Sequence, residues 1–159
     1  MDKSLGYWFE KFVGFTAGIL TFYILYTNWY EGSALVSEKY YDILIKASST
    51  VFGFLLAILA LIINGAKDAV EEMRKHDSFK RLVSNHRIAV FLTFTVMILS
   101  ICLFSLLETV DGKKHFISHY GQLVFQSIIC LHTAIAVWSA VDTVIFVRLF
   151  YKIILSKSK

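Results

Sequence analysis

The sequence predicts an all-α fold: a polytopic four-transmembrane-helix bundle, with helices two and three extended as a cytoplasmic hairpin. Three observations support this prediction. The 159 residues are 57% hydrophobic, with a mean hydropathy of +0.62. Only 18% are charged, below the quarter or so that is typical of a soluble domain. Finally, four long segments contain no Asp, Glu, Lys or Arg, and the chain has no proline.

The lengths of these segments fit a lipid bilayer. A hydrocarbon core about 30 Å thick needs roughly 20 helical residues to cross it, and each charge-free segment reaches about that length. None alternates polar and apolar residues as a barrel strand would, so the segments are predicted to be helices. We expect one domain, residues 1–159, with spans at about 12–30, 45–65, 88–107 and 121–145.

Helices one and two carry small residues at helical spacing. Gly14 and Gly18 lie four residues apart in helix one, and helix two carries Gly53, Ala57 and Ala60 on one face. Because lipid provides little hydrophobic drive between helices, such positions favour close helix packing. The stripe on helix two is compatible with packing within one chain or between subunits.

The segment 66–87, between helices two and three, is predicted to be a cytoplasmic helical hairpin. Its apolar positions continue the helical period of the flanking spans, and its surface is rich in charge. It serves either as a connector that fixes topology or as a docking surface for a cytosolic partner. The candidate docking residues are its cations: Arg74, Lys75, Lys80, Arg81 and Arg87.

The distribution of cations predicts how the chain is threaded. Four of the 16 Lys and Arg residues fall in the 31–46 and 108–121 loops, and the others fall in the termini and the 67–87 loop. Loops rich in Lys and Arg stay cytoplasmic, so both termini are expected inside. The pI near 9.0 follows from this topology, and we therefore expect no direct nucleic-acid binding.

Helix four is the most polar span. Its polar residues recur along the helix, and the candidate stripe comprises Gln122, Gln126, His132, Thr133, Ser139 and Asp142. One interpretation is a pore or ion pathway lined by this face. The other is a bundle interior, in which the same groups form hydrogen bonds to neighbouring helices. Asp142 is expected either as a buried acid that could carry protons or, because the charge-free stretch before it already suffices to cross the bilayer, at the inner interface near Arg148.

The sequence predicts neither catalysis nor a cofactor. His132 is the one histidine within a predicted span, whereas a metal site needs several ligands, so we expect no metal and no cofactor. Arg81 and His86 have the R-x4-H spacing of HEPN-type ribonucleases, but the pair lies at the lipid headgroups. We therefore predict no catalytic residues and no enzymatic activity.

Two further features concern the outer half of the membrane. Cys102 and Cys130 are predicted at similar depth in helices three and four, where they either form a disulfide or pack as two small thiols. Tyr40 and Tyr41 precede the second span and are predicted to belong to the outer aromatic belt.

The layout resembles the small four-span membrane proteins that accompany bacterial phage-defence systems. Examples are the membrane subunit of the Kiwa system and the accessory membrane proteins of some RNA-targeting CRISPR systems. The resemblance covers the whole chain as architecture, including the charged hairpin 64-NGAKDAVEEMRKHDSFKRLV-83. It implies a homo-oligomer that acts as a membrane anchor or sensor and docks a cytosolic effector. The alternative that it implies is a pore-forming effector that depolarises the membrane.

Overall fold

The computed structural model describes residues 3–29, 37–64, 77–108, 117–118 and 121–156, and it is all-helical. The described residues form four helices: α1 Lys3–Thr27, α2 Glu38–Asn64, α3 Asp77–Glu108 and α4 Gln122–Ser156. Most of the predicted hairpin, residues 65–76, lies outside the described part of the chain. Its last residues, from Asp77 onward, form the start of α3.

Three of these helices are long and apolar enough to cross a membrane. Their apolar segments are Glu38–Ile62 in α2, Phe79–Leu107 in α3 and Gln122–Lys152 in α4. The corresponding segment of α1, Phe12–Thr27, is shorter. The structure therefore suggests a membrane protein with at least three spanning helices.

Neighbouring helices pack in the order α2, α3, α4, α1. Along the α3–α4 contact, Thr93 lies opposite Ser139 and Ser100 lies opposite His132, so the two helices are antiparallel. On the other side of α3, the imidazole of His86 reaches the carbonyl oxygen of Leu55 in α2. Helix α4 thus lies between α1 and α3, and it contributes polar side chains to contacts with the other three helices.

The buried apolar residues form two clusters, one at each end of the α3–α4 contact. The first cluster includes Tyr41, Leu103, Leu107, Phe125 and Ile129. The second includes Leu55, Ile58, Leu82, Ala89 and Phe146. Along α3, the polar residues Thr93 and Ser100 lie between these clusters. The interior of the helix bundle therefore contains a polar layer between two apolar clusters.

The outer surface of the helices is apolar. Phe91 is 68% exposed, Val144 66% and Leu61 63%, and they belong to three different helices. Large apolar side chains are also exposed along α1, including Ile19 and Tyr23. A surface of this kind would associate in water, whereas in lipid it is well solvated. This surface supports the membrane assignment independently of helix length.

Candidate functional site

The polar layer is centred on His132. The imidazole is only 1% exposed, and its Nε2 lies 2.9 Å from the hydroxyl oxygen of Ser100. The ring also faces the backbone of Val96, one turn before Ser100 on α3. Removing a polar side chain from water is costly unless it forms a hydrogen bond, so Ser100 gives His132 a defined place against α3.

A second hydroxyl contact lies two turns away along the same helix pair. The Oγ1 of Thr93 is 2.9 Å from the Oγ of Ser139, and both residues are buried. Seven residues separate Thr93 from Ser100, and seven separate His132 from Ser139, so each pair of positions lies on one face of its helix. Two facing polar stripes therefore fix the register of α3 against α4.

Helix α2 reaches the same layer through two consecutive tyrosines. The hydroxyl oxygen of Tyr40 lies 3.3 Å from the Oγ1 of Thr133. Tyr41 is fully buried, and its ring centroid lies 5.4 Å from that of His132. The side chain of Tyr41, predicted to belong to the outer aromatic belt, is therefore enclosed by the bundle. Its ring packs among apolar side chains of α3 and α4, including Leu103 and Phe125.

Helix α1 packs against α4 through two of its glycines, Gly14 and Gly18. A Cβ atom at Gly18 would lie 3.1 Å from the carbonyl oxygen of Ala134. One at Gly14 would lie 2.6 Å from the Cδ1 of Trp138 and would overlap the carboxylate of Asp142. The two glycines that the sequence analysis selected for packing therefore lie where α1 approaches α4 closely.

The carboxylate of Asp142 lies inside this contact. The residue is 8% exposed and packs against Gly14 and Trp138, whereas Arg148 is exposed. The expected position of Asp142 beside Arg148 at the interface is therefore replaced by a position between α1 and α4. On α1, one turn before Gly14, Glu10 has a buried carboxylate oxygen without a hydrogen-bond partner among the described residues.

The rest of the predicted polar stripe is distributed among the neighbouring helices. Gln126 is buried and donates a hydrogen bond through Nε2 to the carbonyl oxygen of Tyr26 in α1, over 3.2 Å. Gln122, at the start of α4, is exposed. Gln126, Thr133 and Ser139 thus contact α1, α2 and α3 respectively. These contacts correspond to the second interpretation of the α4 stripe, in which its polar groups form hydrogen bonds to neighbouring helices in the bundle interior.

The Ser100–His132 pair has the separation of a nucleophile and its general base. However, Ser100 is fully buried, so its hydroxyl presents no surface to a substrate. The second ring nitrogen of His132, Nδ1, has no partner among the described residues, so no acidic group orients the imidazole there. No cluster of three metal-ligating side chains occurs in the described residues either. The pair is suited to holding helices together.

The predicted docking cations and their neighbours have different surroundings. Lys80 and Arg87 are exposed on α3, whereas Arg81 is partly buried and has an interaction of its own. Arg74 and Lys75 lie outside the described residues. His86, the second residue of the R-x4-H spacing, is buried, with Nε2 2.9 Å from the carbonyl oxygen of Leu55. It therefore fastens α3 to α2.

The small residues of α2 lie on an exposed face. Gly53, Ala57 and Ala60 are all exposed, and a Cβ atom at Gly53 would meet no described atom within 4 Å. This stripe does not pack against another described helix of the same chain.

The two cysteines have different surroundings. Both are free, but Cys102 is exposed and Cys130 is buried.

Sequence reasoning missed the partners of the α4 stripe. Thr93 and Ser100 were not predicted to be polar contacts, and Tyr40 was assigned to the aromatic belt. These three residues complete the hydrogen bonds of Ser139, His132 and Thr133 respectively. One signal was present in the sequence. Thr93 and Ser100 are hydroxyl residues seven positions apart in an apolar helix, which places them on one face.

Comparison with known proteins provides no relative for this chain. No family model matches it, and no curated protein or solved structure matches it either.

Proposed function

We propose that this chain is an oligomeric, four-span protein of the bacterial inner membrane that anchors or senses for a cytosolic effector, in antiviral defence against phage. The observation that carries the proposal is the use of the α4 polar residues inside the subunit. Because those residues form hydrogen bonds within the subunit, contacts with other molecules are left to its exposed surface. This surface includes apolar side chains, a stripe of small residues on α2 and a cationic end of α3.

The hydrogen bonds favour an anchor over a pore. A conducting path needs polar groups that face an open lumen. Here Thr133, His132 and Ser139 face α2 and α3 inside one chain, at distances of 2.9 to 3.3 Å. Interhelical bonds of this kind are worth about 0.6 kcal/mol each in a membrane. Together with the buried apolar clusters they support a rigid frame rather than a channel lining.

The exposed stripe on α2 supports the oligomer. Gly53 has open space above it, and Ala57 and Ala60 continue the same exposed face. In lipid, small residues let two backbones approach closely, and the packing between them drives association. A second copy of the chain can therefore approach α2 along this face more closely than along the faces that carry large aromatic side chains.

The cationic end of α3 supports the docking of an acidic partner. Lys80 is exposed, and α3 has no acidic residue between Asp77 and Glu108. The bias of Lys and Arg toward the termini and the 67–87 loop supports a cytoplasmic position for this end. An acidic surface on a soluble effector would meet it there, with electrostatic attraction guiding the encounter.

Charge reversal tests the anchor. The protein is purified from its native host in mild detergent with Lys80→Glu, and with Arg148→Glu as the control, since Arg148 is an exposed cation on the same side of the membrane. We expect a specific soluble protein to co-purify with the wild type and the control but not with Lys80→Glu. Because cations set topology, the side of each terminus is measured in all three proteins. Equal recovery from both variants, or ion currents across planar bilayers without any partner, would reject the anchor.

A bulky substitution tests the oligomer. Gly53→Leu should lower the mass measured by light scattering in detergent to that of the monomer while leaving the helical circular dichroism unchanged. Ser105→Leu is the matched control, because Ser105 is also small and exposed but lies on α3. An oligomer that survives Gly53→Leu, or that both substitutions break equally, would show that the α2 stripe is not the interface.

A further inference from the structure

A large groove runs along the outer face of α3. Its volume is about 1000 Å³, and it is bordered by α2 on one side and by α4 on the other. The residues that matter for its chemistry are Phe52, Val83, Arg87, Phe91, Phe94 and Trp138. Its walls are mainly apolar, aliphatic as well as aromatic, and Arg87 is the one Lys or Arg among the lining residues.

Arg87 has no counter-charge within the groove. It is exposed and forms no ion pair with any described residue, and the acidic residues of α3 lie at its two ends, Asp77 and Glu108. At this level α4 contributes Phe146, whose ring contacts His86, and the carboxylate of Asp142, one turn away, packs against Gly14 of α1. The neighbouring His86 is directed toward Leu55. The guanidinium thus lies beside an apolar groove and has no ion-pair partner in the part of the chain that the structure describes.

The depth of Arg87 matches that of a lipid headgroup. It directly precedes the charge-free segment 88–107, whose 20 residues cover the hydrocarbon core of a bilayer. Phe91 and Phe94 follow one and two turns later, at depths of about 6 and 10 Å below Arg87. The groove therefore begins at the headgroup level and continues along the acyl region.

We propose that this groove binds an anionic glycerophospholipid. The guanidinium of Arg87 holds the phosphate, for which its planar set of donors is suited, and one acyl chain lies along Phe91 and Phe94. The proposal rests on membrane insertion, one part of the proposed function, and not on docking or oligomerisation. It also separates Arg87 from Lys80: the first contacts lipid, and the second remains available to a protein partner.

A second copy of the chain fits this groove less well than lipid. Close helix packing in membranes uses small residues, but Phe91 and Phe94 project from this face and are exposed. A copy would also have to bring a negative charge to Arg87, while the exposed faces of the described spans carry mainly apolar side chains. A phospholipid provides both the negative charge and a flexible apolar chain.

Native mass spectrometry of the detergent-solubilised protein tests the proposal with phosphatidylglycerol and phosphatidylethanolamine as probes. We expect phosphatidylglycerol to bind more tightly to the wild type. Arg87→Gln should weaken phosphatidylglycerol binding about fivefold, since one cation near the membrane surface contributes about that factor. Phosphatidylethanolamine binding should weaken less, because the ammonium group of this lipid already compensates the charge of its phosphate. The control Arg148→Gln removes an exposed cation outside the groove and should leave both affinities unchanged.

A second substitution tests the apolar part of the site. Val83→Trp fills the groove beside Arg87 and should weaken both lipids. Equal affinities of the two lipids, or equal effects of Arg87→Gln and Arg148→Gln, would overturn the proposal. So would a Val83→Trp variant that loses its oligomer but retains its lipid, because the groove would then be a contact between copies. Flotation of the protein with liposomes is measured separately, so a failure of membrane insertion is distinguished from a failure of this lipid site.

Discussion

Replacing Gly14 by alanine should loosen α1 from α4, and replacing Gly53 by alanine should not. Both glycines lie within helices, so both substitutions gain the same intrinsic helix preference, about 1 kcal/mol in a soluble helix. Their surroundings differ. The new Cβ atom at Gly14 would lie 2.6 Å from the Cδ1 of Trp138 and would overlap the carboxylate of Asp142, whereas the one at Gly53 meets open space. The difference between the two variants therefore isolates the steric cost.

The magnitude follows from the overlap. The Asp142 carboxylate is the end of a short side chain and can rotate, but the Trp138 ring must move by about 1 Å to restore ordinary contact. Forcing extra atoms into a packed contact costs about 1–3 kcal/mol. We therefore expect Gly14→Ala to be less stable than Gly53→Ala by about 1–3 kcal/mol.

Unfolding in mixed micelles provides the assay. The protein is titrated with sodium dodecyl sulfate while circular dichroism and tryptophan fluorescence are recorded, and Trp138 reports directly on the α1–α4 contact. The titration is repeated at two protein concentrations, so that any contribution from association through α2 is separated from subunit stability. A Gly14→Ala variant that matches or exceeds Gly53→Ala in stability would refute the close packing of α1 against α4.

Two further predictions concern buried and exposed groups. Ser100→Ala should lower the free energy of unfolding by about 0.6–1.7 kcal/mol, the range from the average to the strongest interhelical hydrogen bonds in a membrane, because it removes the hydroxyl partner of the buried His132. Ser127→Ala, which removes a hydroxyl bonded to its own helix at the Leu123 carbonyl, should cost less in the same titration, and equal costs would contradict the interhelical role. Cys102 should react with N-ethylmaleimide in detergent within minutes, whereas Cys130 should react only after unfolding. Mass spectrometry of the labelled peptides decides this, and rapid labelling of Cys130 would contradict its burial.

The ends of the helices show what charge patterning can predict. Charge-free segments locate the apolar part of each span, but a helix does not have to end where lipid ends. Helix α2 begins at Glu38, ahead of the segment predicted to start near 45, and it includes an ion pair between Lys46 and Asp42 at 2.7 Å, one turn apart. Helix α4 likewise continues to Ser156. Such pairs support exposed helix by a few tenths of a kcal/mol, about 0.3–0.5.

The surroundings of individual residues could not be predicted from their own segment. Gly14 and Gly53 are the same residue type in similar apolar helices, yet one touches α4 and the other faces outward. Likewise, the polar stripe of α4 indicated that His132 needs a partner, but not that Ser100 is that partner. The surroundings of the two glycines and the partner of His132 both depend on which helices are neighbours. The segments that connect the helices do not determine which helices become neighbours.

The place of α4 in the order α2, α3, α4, α1 has a consequence for biogenesis. Of the four described helices, α4 is synthesised after the other three, and it forms polar contacts with each of them. Until it enters the bilayer, Tyr40, Thr93 and Ser100 have no partner on α4, and α1 has no helix that matches its glycines. A nascent chain released before residue 122 would thus be a substrate for membrane quality control, and assembly of the four helices must wait until α4 has been synthesised.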